Sequence, residues 1–594
     1  MFTFLPLDLT PELRQIRFLN LLPASSFDAA ISCTIFNGSL EAPPHYEALS
    51  YVWGTESDKL KINLVYDDAQ ENAACKADIE DTGLNLEVTQ NLASALRHIR
   101  DVKSSRILWI DAICIDQNST KEKSHQVAQM RQVYLSAHRV IMWLGPESSF
   151  SSSLAIEFLR SMPMGKDGEP QYVYQEADSP AWLACDDLFL KRPYWSRSWI
   201  LQEVLHNRPV TVHVGQNTLE IDPFFDLFNK YFTLRKVLSS LSMSGLSAEE
   251  QKQLSKDPEK LKKVLANDQW FREFGATESM PASLVYFRPL FQNPKYLPRL
   301  GYLLNTFRDQ LATVPKDKIY SLSGMAEQEY DIEINYNEDP AKGATLSTRE
   351  LYMQTTRQLL AKVLVVLLWI ESPQRKIESG LDGIRLPSWV PGFMTEQHLN
   401  ARCLYTKSPL FCASKDFPGG MWRDQSTDKE DALKKSGIFT IRGVRVGRIR
   451  NVKEVHATTK WSDVETAQGW DKLRLFWYEP IRHVNGMDLE ISNEAVPEDV
   501  MKSATFENTS WGPCKSERED IIVVAAGSNI PLVLRKKDEM FLFVGGCWLV
   551  KSQINLTEML EPQNTSQQKG FDEIMYGSIV KEIESCVIEK FDLC

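Results

Sequence analysis

Residues able to do chemistry fall into three stretches of this chain. In the first, Ser50, Tyr51 and Trp53 end an apolar run that closes at Gly54, placing a hydroxyl and aromatic faces where a ligand ring can stack. In the second, Asp116 and Gln117 directly follow the apolar run Ile107 to Ile115. Acidic and amide side chains just past a strand's carboxyl end sit where open α/β sheets bind ligands. In the third, Trp199 precedes Glu203 by one helical turn, which predicts the two on one face. Each candidate has a plainer structural role: Tyr51 and Trp53 as core, Asp116 and Gln117 as turn or helix cap, Glu203 as an ion-pair partner of Arg197 or Arg192. Asp111 interrupts the second run and, if buried, requires a backbone amide or an arginine as partner. Cys114 suggests a nucleophile with His125 or His138, but a cysteine inside an apolar run reads first as an inert thiol. There is no G-x-S-x-G elbow, phosphate loop or metal-ligand spacing, so the sequence supports no hydrolase, kinase or metalloenzyme reading.

The elements that must position these residues can be read from periodicity. Ile107 to Ile115 and Arg139 to Leu144 are short, β-branched and aromatic, as buried strands are. Between them Val127, Met130, Tyr134 and Ala137 recur at helical spacing, and Ser119 with Glu122 forms a candidate capping box. Strand, helix and strand of this length predict a βαβ crossover. Upstream, Ile16 to Leu22, Ile31 to Phe36 and Tyr46 to Gly54 read as strands, and Thr89 caps a helix whose apolar face is Leu92, Leu96 and Ile99. Beyond a polar insertion (Asp58 to Val88) and a helix over Leu154 to Arg160, the strand Pro209 to Val214 closes a first domain at 1–220. Residues 221–430 read as mostly helical, with a charged solvated helix over Ala248 to Leu265. Residues 431–594 read as β-rich through Ile438 to Gly447, Ile521 to Leu534 and Phe541 to Val550.

At 594 residues the chain requires two or three domains. A net charge of −12 argues against broad nucleic-acid binding, because phosphate neutralisation needs a basic surface. The ten scattered cysteines, none in a C-x-x-C pair, point to reduced thiols in a cytosolic or nuclear setting, and the cytoplasm is the expected localisation. No signal peptide is legible, and the run Val363 to Ile370 is far short of the ~20 residues a membrane helix needs, so no membrane insertion is expected.

Three blocks, YEALSYVWG (Tyr46–Gly54), LWIDAICIDQ (Leu108–Gln117) and RSWILQEV (Arg197–Val204), resemble in content, order and spacing the signature blocks of the fungal heterokaryon-incompatibility (HET) domain. The segments ATVPKDKIYSLSGMA (Ala312–Ala326), LPSWVPGF (Leu386–Phe393), IPLVLR and FLFVGGCW resemble later parts of HET-domain proteins. The sequence WLVKSQ departs from the Gly-rich acidic continuation often found there. The resemblance implies a role in non-self recognition and programmed cell death, with protein partners or self-association through the HET domain. HET domains are in turn distantly similar to TIR domains, which implies a flavodoxin-like parallel-sheet domain at the amino terminus.

In NAD-cleaving TIR enzymes a helical glutamate is catalytic, and Glu203 occupies the matching position here. That assigns catalysis to Glu203 and ligand contact to Ser50, Tyr51, Trp53, Asp116, Gln117 and Trp199, with NAD as substrate rather than resident cofactor. Breaking the nicotinamide bond develops positive charge on the ribose, and one adjacent carboxylate can stabilise it while nicotinamide departs neutral. The alternative is a non-catalytic interaction module that needs no nucleotide pocket.

Overall fold

The computed structural model describes residues 4–10, 12–54, 59–66, 85–163, 179–240, 280–293, 295–308, 310–327, 330–360 and 386–393, then a set of strands and turns between 439 and 593. The chain divides into two compact units, Met1–Leu300 with Gln310–Leu346, and Gly301–Asp309 with Ser347–Cys594.

The first unit is built on nine strands: β1 (Gln15–Leu21), β2 (Ser32–Ser39), β3 (Glu47–Ser50), β4 (Lys59–Tyr66), β5 (Asn85–Thr89), β6 (Arg106–Trp109), β7 (Arg139–Trp143), β8 (Val210–Val214) and β9 (Asn217–Glu220). They form one mixed sheet in the order β5-β4-β2-β1-β6-β3-β7-β8-β9. The expected parallel sheet is present as the four central strands β6-β3-β7-β8. Antiparallel partners flank them: β1 on β6 at one side and β9 on β8 at the other. The polar insertion contributes two of the nine strands, the antiparallel pair β4 and β5, which sequence patterning missed because Lys59, Lys61 and Asn63 read as loop.

By chain position the parallel strands lie second, first, third, fourth. The connection from β6 to β7 therefore crosses over β3, and the chain reverses its winding beside β3. In open α/β sheets that reversal leaves a crevice at the strands' carboxyl ends. The central strands are buried except for the partly exposed Glu47, Arg106, Ile107, Arg139 and His213, as expected of strands covered on both faces.

Up to residue 240 the described helices of this unit are α1 (Gln90–Ile99), α2 (Asp111–Cys114), α3 (Thr120–Ala128), α4 (Met130–Ser136), α5 (Ser152–Ser161), α6 (Pro180–Asp186), α7 (Ile200–Val204) and α8 (Ile221–Ser240). Thr89 caps α1 by accepting from Leu92 N at 3.3 Å. Two expectations are corrected. The run Ile107 to Ile115 is not one strand: β6 ends at Trp109, and Asp111 opens the helical turn α2 by accepting from its own neighbour Ala112 N at 2.8 Å. The helix carrying Val127, Met130 and Tyr134 is divided into α3 and α4 at Gln129, though all three side chains face the core. The capping box is half formed. Ser119 accepts from Glu122 N, but the Glu122 carboxylate turns inward to Arg17, at 2.5 and 3.0 Å, and to Asp116 N at 2.7 Å.

Further helices run over Met280–Phe291, Leu300–Thr306, Asp317–Ser323 and Thr348–Leu360, so helices joined by long loops make up the described middle of the chain; Ala248 to Leu265 lies outside the described residues. In the second unit the strands Phe439–Glu454, Arg474–Pro480, Thr509–Gly512, Ile521–Ala525, Leu532–Lys537, Met540–Gly546, Trp548–Leu549 and Glu589–Leu593 form a sheet. Its pairings are antiparallel except that of Met540–Gly546 with Glu589–Leu593. Buried Asp520 pairs with Arg535 at 2.8 and 3.0 Å and ties one hairpin of that sheet.

Candidate functional site

At the carboxyl ends of β3 and β6 the chain gathers an unusually polar buried cluster. β3 delivers Ser50, and the extended chain beyond it delivers Tyr51 and Trp53. The end of β6 delivers Asp111. A 3₁₀ turn, Pro193–Ser196, presents Tyr194, and the extended residues after it present Arg197. Helix α7 brings in Glu203, whose side chain is completely enclosed.

Arg197 stands between the two carboxylates, 3.3 Å from Asp111 Oδ2 and 3.4 Å from Glu203 Oε1, and it also donates to the Tyr51 carbonyl. Ser50 donates to Glu203 Oε2 and lies 2.6 Å from the Tyr194 hydroxyl. A serine hydroxyl has one proton, so with Ser50 donating to Glu203 the Tyr194 phenol must donate to Ser50. The Trp53 indole donates to Asp111 Oδ2 at 2.8 Å, and the Gln117 amide to the Asp111 carbonyl at 3.0 Å.

Burial sets the electrostatics. It pushes the Glu203 carboxyl up to about 7, opposed by the Arg197 guanidinium and by Ser50 and reinforced by the Asp111 carboxylate. A proton on Glu203 leaves one guanidinium facing one carboxylate, so the enclosed cluster is then neutral. Burial alone would weaken Arg197's hold on its proton, but Glu203 and Asp111 raise its pKa, so it is a permanent cation. Tyr51, Tyr134 and Tyr194 are pushed well above the ordinary phenol value by burial and act only as neutral hydrogen-bonding groups.

Behind Glu203, buried His206 is held neutral, its pKa lowered to about 3 by burial and by Arg288. A carbonyl only accepts, so His206 Nε2 donates to the Glu203 carbonyl at 2.7 Å while Nδ1 accepts from Arg208 N at 3.1 Å. That fixes the tautomer and closes the carboxyl end of α7.

The structure thus brings Ser50, Tyr51, Trp53 and Glu203 together and adds Gln117 at the margin. Asp116 serves its own turn, accepting from Asn118 N at 3.0 Å. Trp199 caps α7 and turns to a different partner from Glu203, donating to Asp317 Oδ2 at 3.0 Å. Arg197, Asp111 and Tyr194 complete the cluster. Of these, the Arg197 pairing with Glu203 and the need of Asp111 for an arginine were legible in the sequence; Tyr194 carried no signal. Arg192 goes elsewhere, to Asp187 at 2.9 Å and the Pro146 carbonyl.

Cys114 is buried, its thiol pushed up to about 12 by burial, and its sulfur accepts from Ile110 N. His138 stacks on His45 with ring centres 3.8 Å apart, and the His125 ring lies by the Gln126 amide. Among the described residues no group of three His, Cys, Asp or Glu side chains could hold a metal, and no helix is long and apolar enough to cross a membrane.

The cluster at the crossover of a mixed α/β sheet coincides with a family signature: residues 46–203 match the family described as heterokaryon incompatibility protein (HET), beginning at Tyr46 beside β3 and ending on Glu203. The chain therefore carries a HET domain.

Over 436 residues it is 27% identical to "Heterokaryon incompatibility protein 6, OR allele" of Neurospora crassa, an alignment covering 66% of this chain and 59% of that protein. The chain thus spans about three fifths of the relative's length. No solved structure matches.

Proposed function

We propose that this protein acts in heterokaryon incompatibility, the non-self recognition that leads to programmed cell death when unlike fungal hyphae fuse, and that its HET domain does so by cleaving NAD. The HET match and the name of the Neurospora relative support the biological role. For the chemistry, the observation that carries the reading is the placement of Glu203, with Arg197 and Asp111, at the carboxyl ends of strands whose order reverses beside β3. The order second, first, third, fourth is that of flavodoxin-like sheets, which supports a TIR-like reading of the domain.

Solvent reaches the cluster from the side of Trp53, Asp111 and Arg197; the Arg197 side chain is 17% exposed and that of Asp111 8%. A dinucleotide entering there stacks a ring on Trp53, and its ribose hydroxyls replace Arg197 as the partners of Asp111. Release of Arg197 from Glu203 opens the carboxylate to the anomeric carbon. The C1′–N bond then breaks with its electron pair going to nicotinamide nitrogen, the Glu203 carboxylate stabilises the positive ribose, and water adds to C1′ and gives its proton to that carboxylate, which later releases it to solvent. Self-association through the HET domain is the step that drives this opening.

The test is NAD consumption by the 594-residue chain at high protein concentration, wild type beside Glu203→Gln. Turnover lost in the variant supports the assignment. Turnover that survives it removes Glu203 from the chemistry.

A second reading has an observation of its own. Both Glu203 oxygens already have partners and the side chain is fully enclosed, as in a structural acid of a non-catalytic interaction module. Wild-type protein without saturable NAD binding decides for that module.

A further inference from the structure

We infer that two segments outside the family match, residues 311–327 and 330–336, form a clamp that positions Arg197 and Glu203, with Asp317 as its central positioning residue. The inference deepens the proposed NAD chemistry and rests on it only for the activity readout.

The block that carries the charged pair is held along its length by the first of these segments. The backbone on either side of Arg197 is bonded to Leu311: Leu311 N donates to the Ser196 carbonyl at 2.5 Å, and Ser198 N donates to the Leu311 carbonyl at 3.0 Å. Two residues on, the Trp199 indole donates to Asp317. Beyond that, the Gln202 amide donates to the Tyr320 carbonyl at 3.0 Å and lies against Gly324, where a Cβ would approach it to 3.1 Å. Helix α7 is five residues long and too short to hold itself. Its orientation, and with it the reach of Glu203 toward Ser50, follows from these contacts.

The clamp also grips the opposite side of the cluster. Asp317 accepts from the Tyr336 hydroxyl at 2.5 Å, Tyr336 N donates to Ser124 Oγ at 2.9 Å, and the Lys123 ammonium sits 4.6 Å above the Tyr336 ring. Ser124 and Lys123 belong to α3, directly after the turn in which Gln117 holds Asp111. Asp317 thus ties the α7 side of the cluster to the Asp111 side. Burial raises its pKa, while the Tyr336 and Trp199 hydrogen bonds oppose that rise.

The experiment uses the 594-residue chain with Asp317→Asn and Tyr336→Phe, each compared with wild type and Glu203→Gln. An asparagine amide offers one acceptor oxygen where the Asp317 carboxylate offers two, and Tyr336→Phe removes a single hydroxyl, so the second variant serves where the first does not fold. The structural readout is the protonation of Glu203, followed as the infrared carboxyl band of 13C-glutamate-labelled protein and assigned by its absence from Glu203→Gln. The groups facing Glu203 are Ser50, Arg197, Asp111 and the phenols of Tyr51, Tyr134 and Tyr194, so a shift of its titration reports their rearrangement.

The expected result is a Glu203 midpoint displaced by half a pH unit or more in folded variants, with kcat for NAD falling at least tenfold and KM changing less. An unmoved Glu203 band in either folded variant overturns the clamp. Wild-type protein that never turns over NAD overturns the proposed reaction instead and leaves the infrared result to decide the clamp.

Discussion

Ser50 and Glu203 are 153 positions apart in the chain, yet the serine hydroxyl donates directly to the carboxylate, and both residues are fully buried. Around that contact the HET domain holds two carboxylates and one guanidinium, an arrangement whose charge depends on a single proton. Its consequences can be measured.

The first concerns pH. Glu203 has a folded-state pKa of about 7 against an ordinary value of 4.5, so the folded chain holds its proton more tightly than the unfolded chain. Its contribution is fully present below pH 4.5 and is lost as pH rises to 7, at roughly 1.4 kcal/mol per pH unit. Buried His206 works in the opposite sense, because its pKa is lowered from 6.5 to about 3 and its contribution is lost as pH falls through that window. The wild-type profile alone therefore conceals Glu203. The difference between Glu203→Gln and wild type exposes it: the variant gains relative stability from pH 4.5 to 7, by about 3 kcal/mol in all. A difference profile flat across that range, in urea titrations at each pH, refutes the raised pKa.

Removal of Arg197 leaves Asp111 without its cation in a nearly closed site. Arg197→Met is expected to cost about 3–5 kcal/mol at pH 8, as for other broken buried pairs. The loss should be smaller at pH 5, where Glu203 is protonated and repels Asp111 less. Equal losses at both pH values show that Glu203 and Arg197 are not coupled.

A second buried pair supports the loop that carries Asp116 and Gln117. Glu122 accepts twice from Arg17, whose side chain has no exposure, and once from Asp116 N. Glu122→Ala should destabilise the first unit by about 3–5 kcal/mol, and Glu122→Gln by less, because one acceptor survives. Unfolding midpoints that rank the two variants the other way contradict this account.

Thiol reactivity tests the cysteine assignment. Cys33, Cys114 and Cys185 are buried, and burial pushes the first two thiols up to about 12. None of the three should be alkylated by iodoacetamide at pH 8 in the folded chain, and all should react in denaturant. Rapid labelling of Cys114 with the fold intact would restore it as a nucleophile candidate.

Sequence by itself determined the strands and helices whose patterning is local. The runs around Leu49, Ile107 and Val140 are predominantly apolar because both faces of a central parallel strand are covered, and Thr89 and Ser119 announce helix starts through caps a few residues long. It also determined the family resemblance, because the three signature blocks carry residues of the cluster itself.

Tertiary structure decided the rest, for reasons of distance. Asp111 lies inside a run that reads as strand, and its turn to α2 depends on Trp53 and Arg197, which are 58 and 86 positions away. Trp199 and Glu203 share a helical spacing, but α7 is one short turn whose partners come from β3 on one side and from residue 317 on the other. The proton affinity of Glu203 belongs to the enclosure. A carboxylate in RSWILQEV is an ordinary acid until the sheet, the 3₁₀ turn and α7 close around it and remove the water that would have solvated its charge.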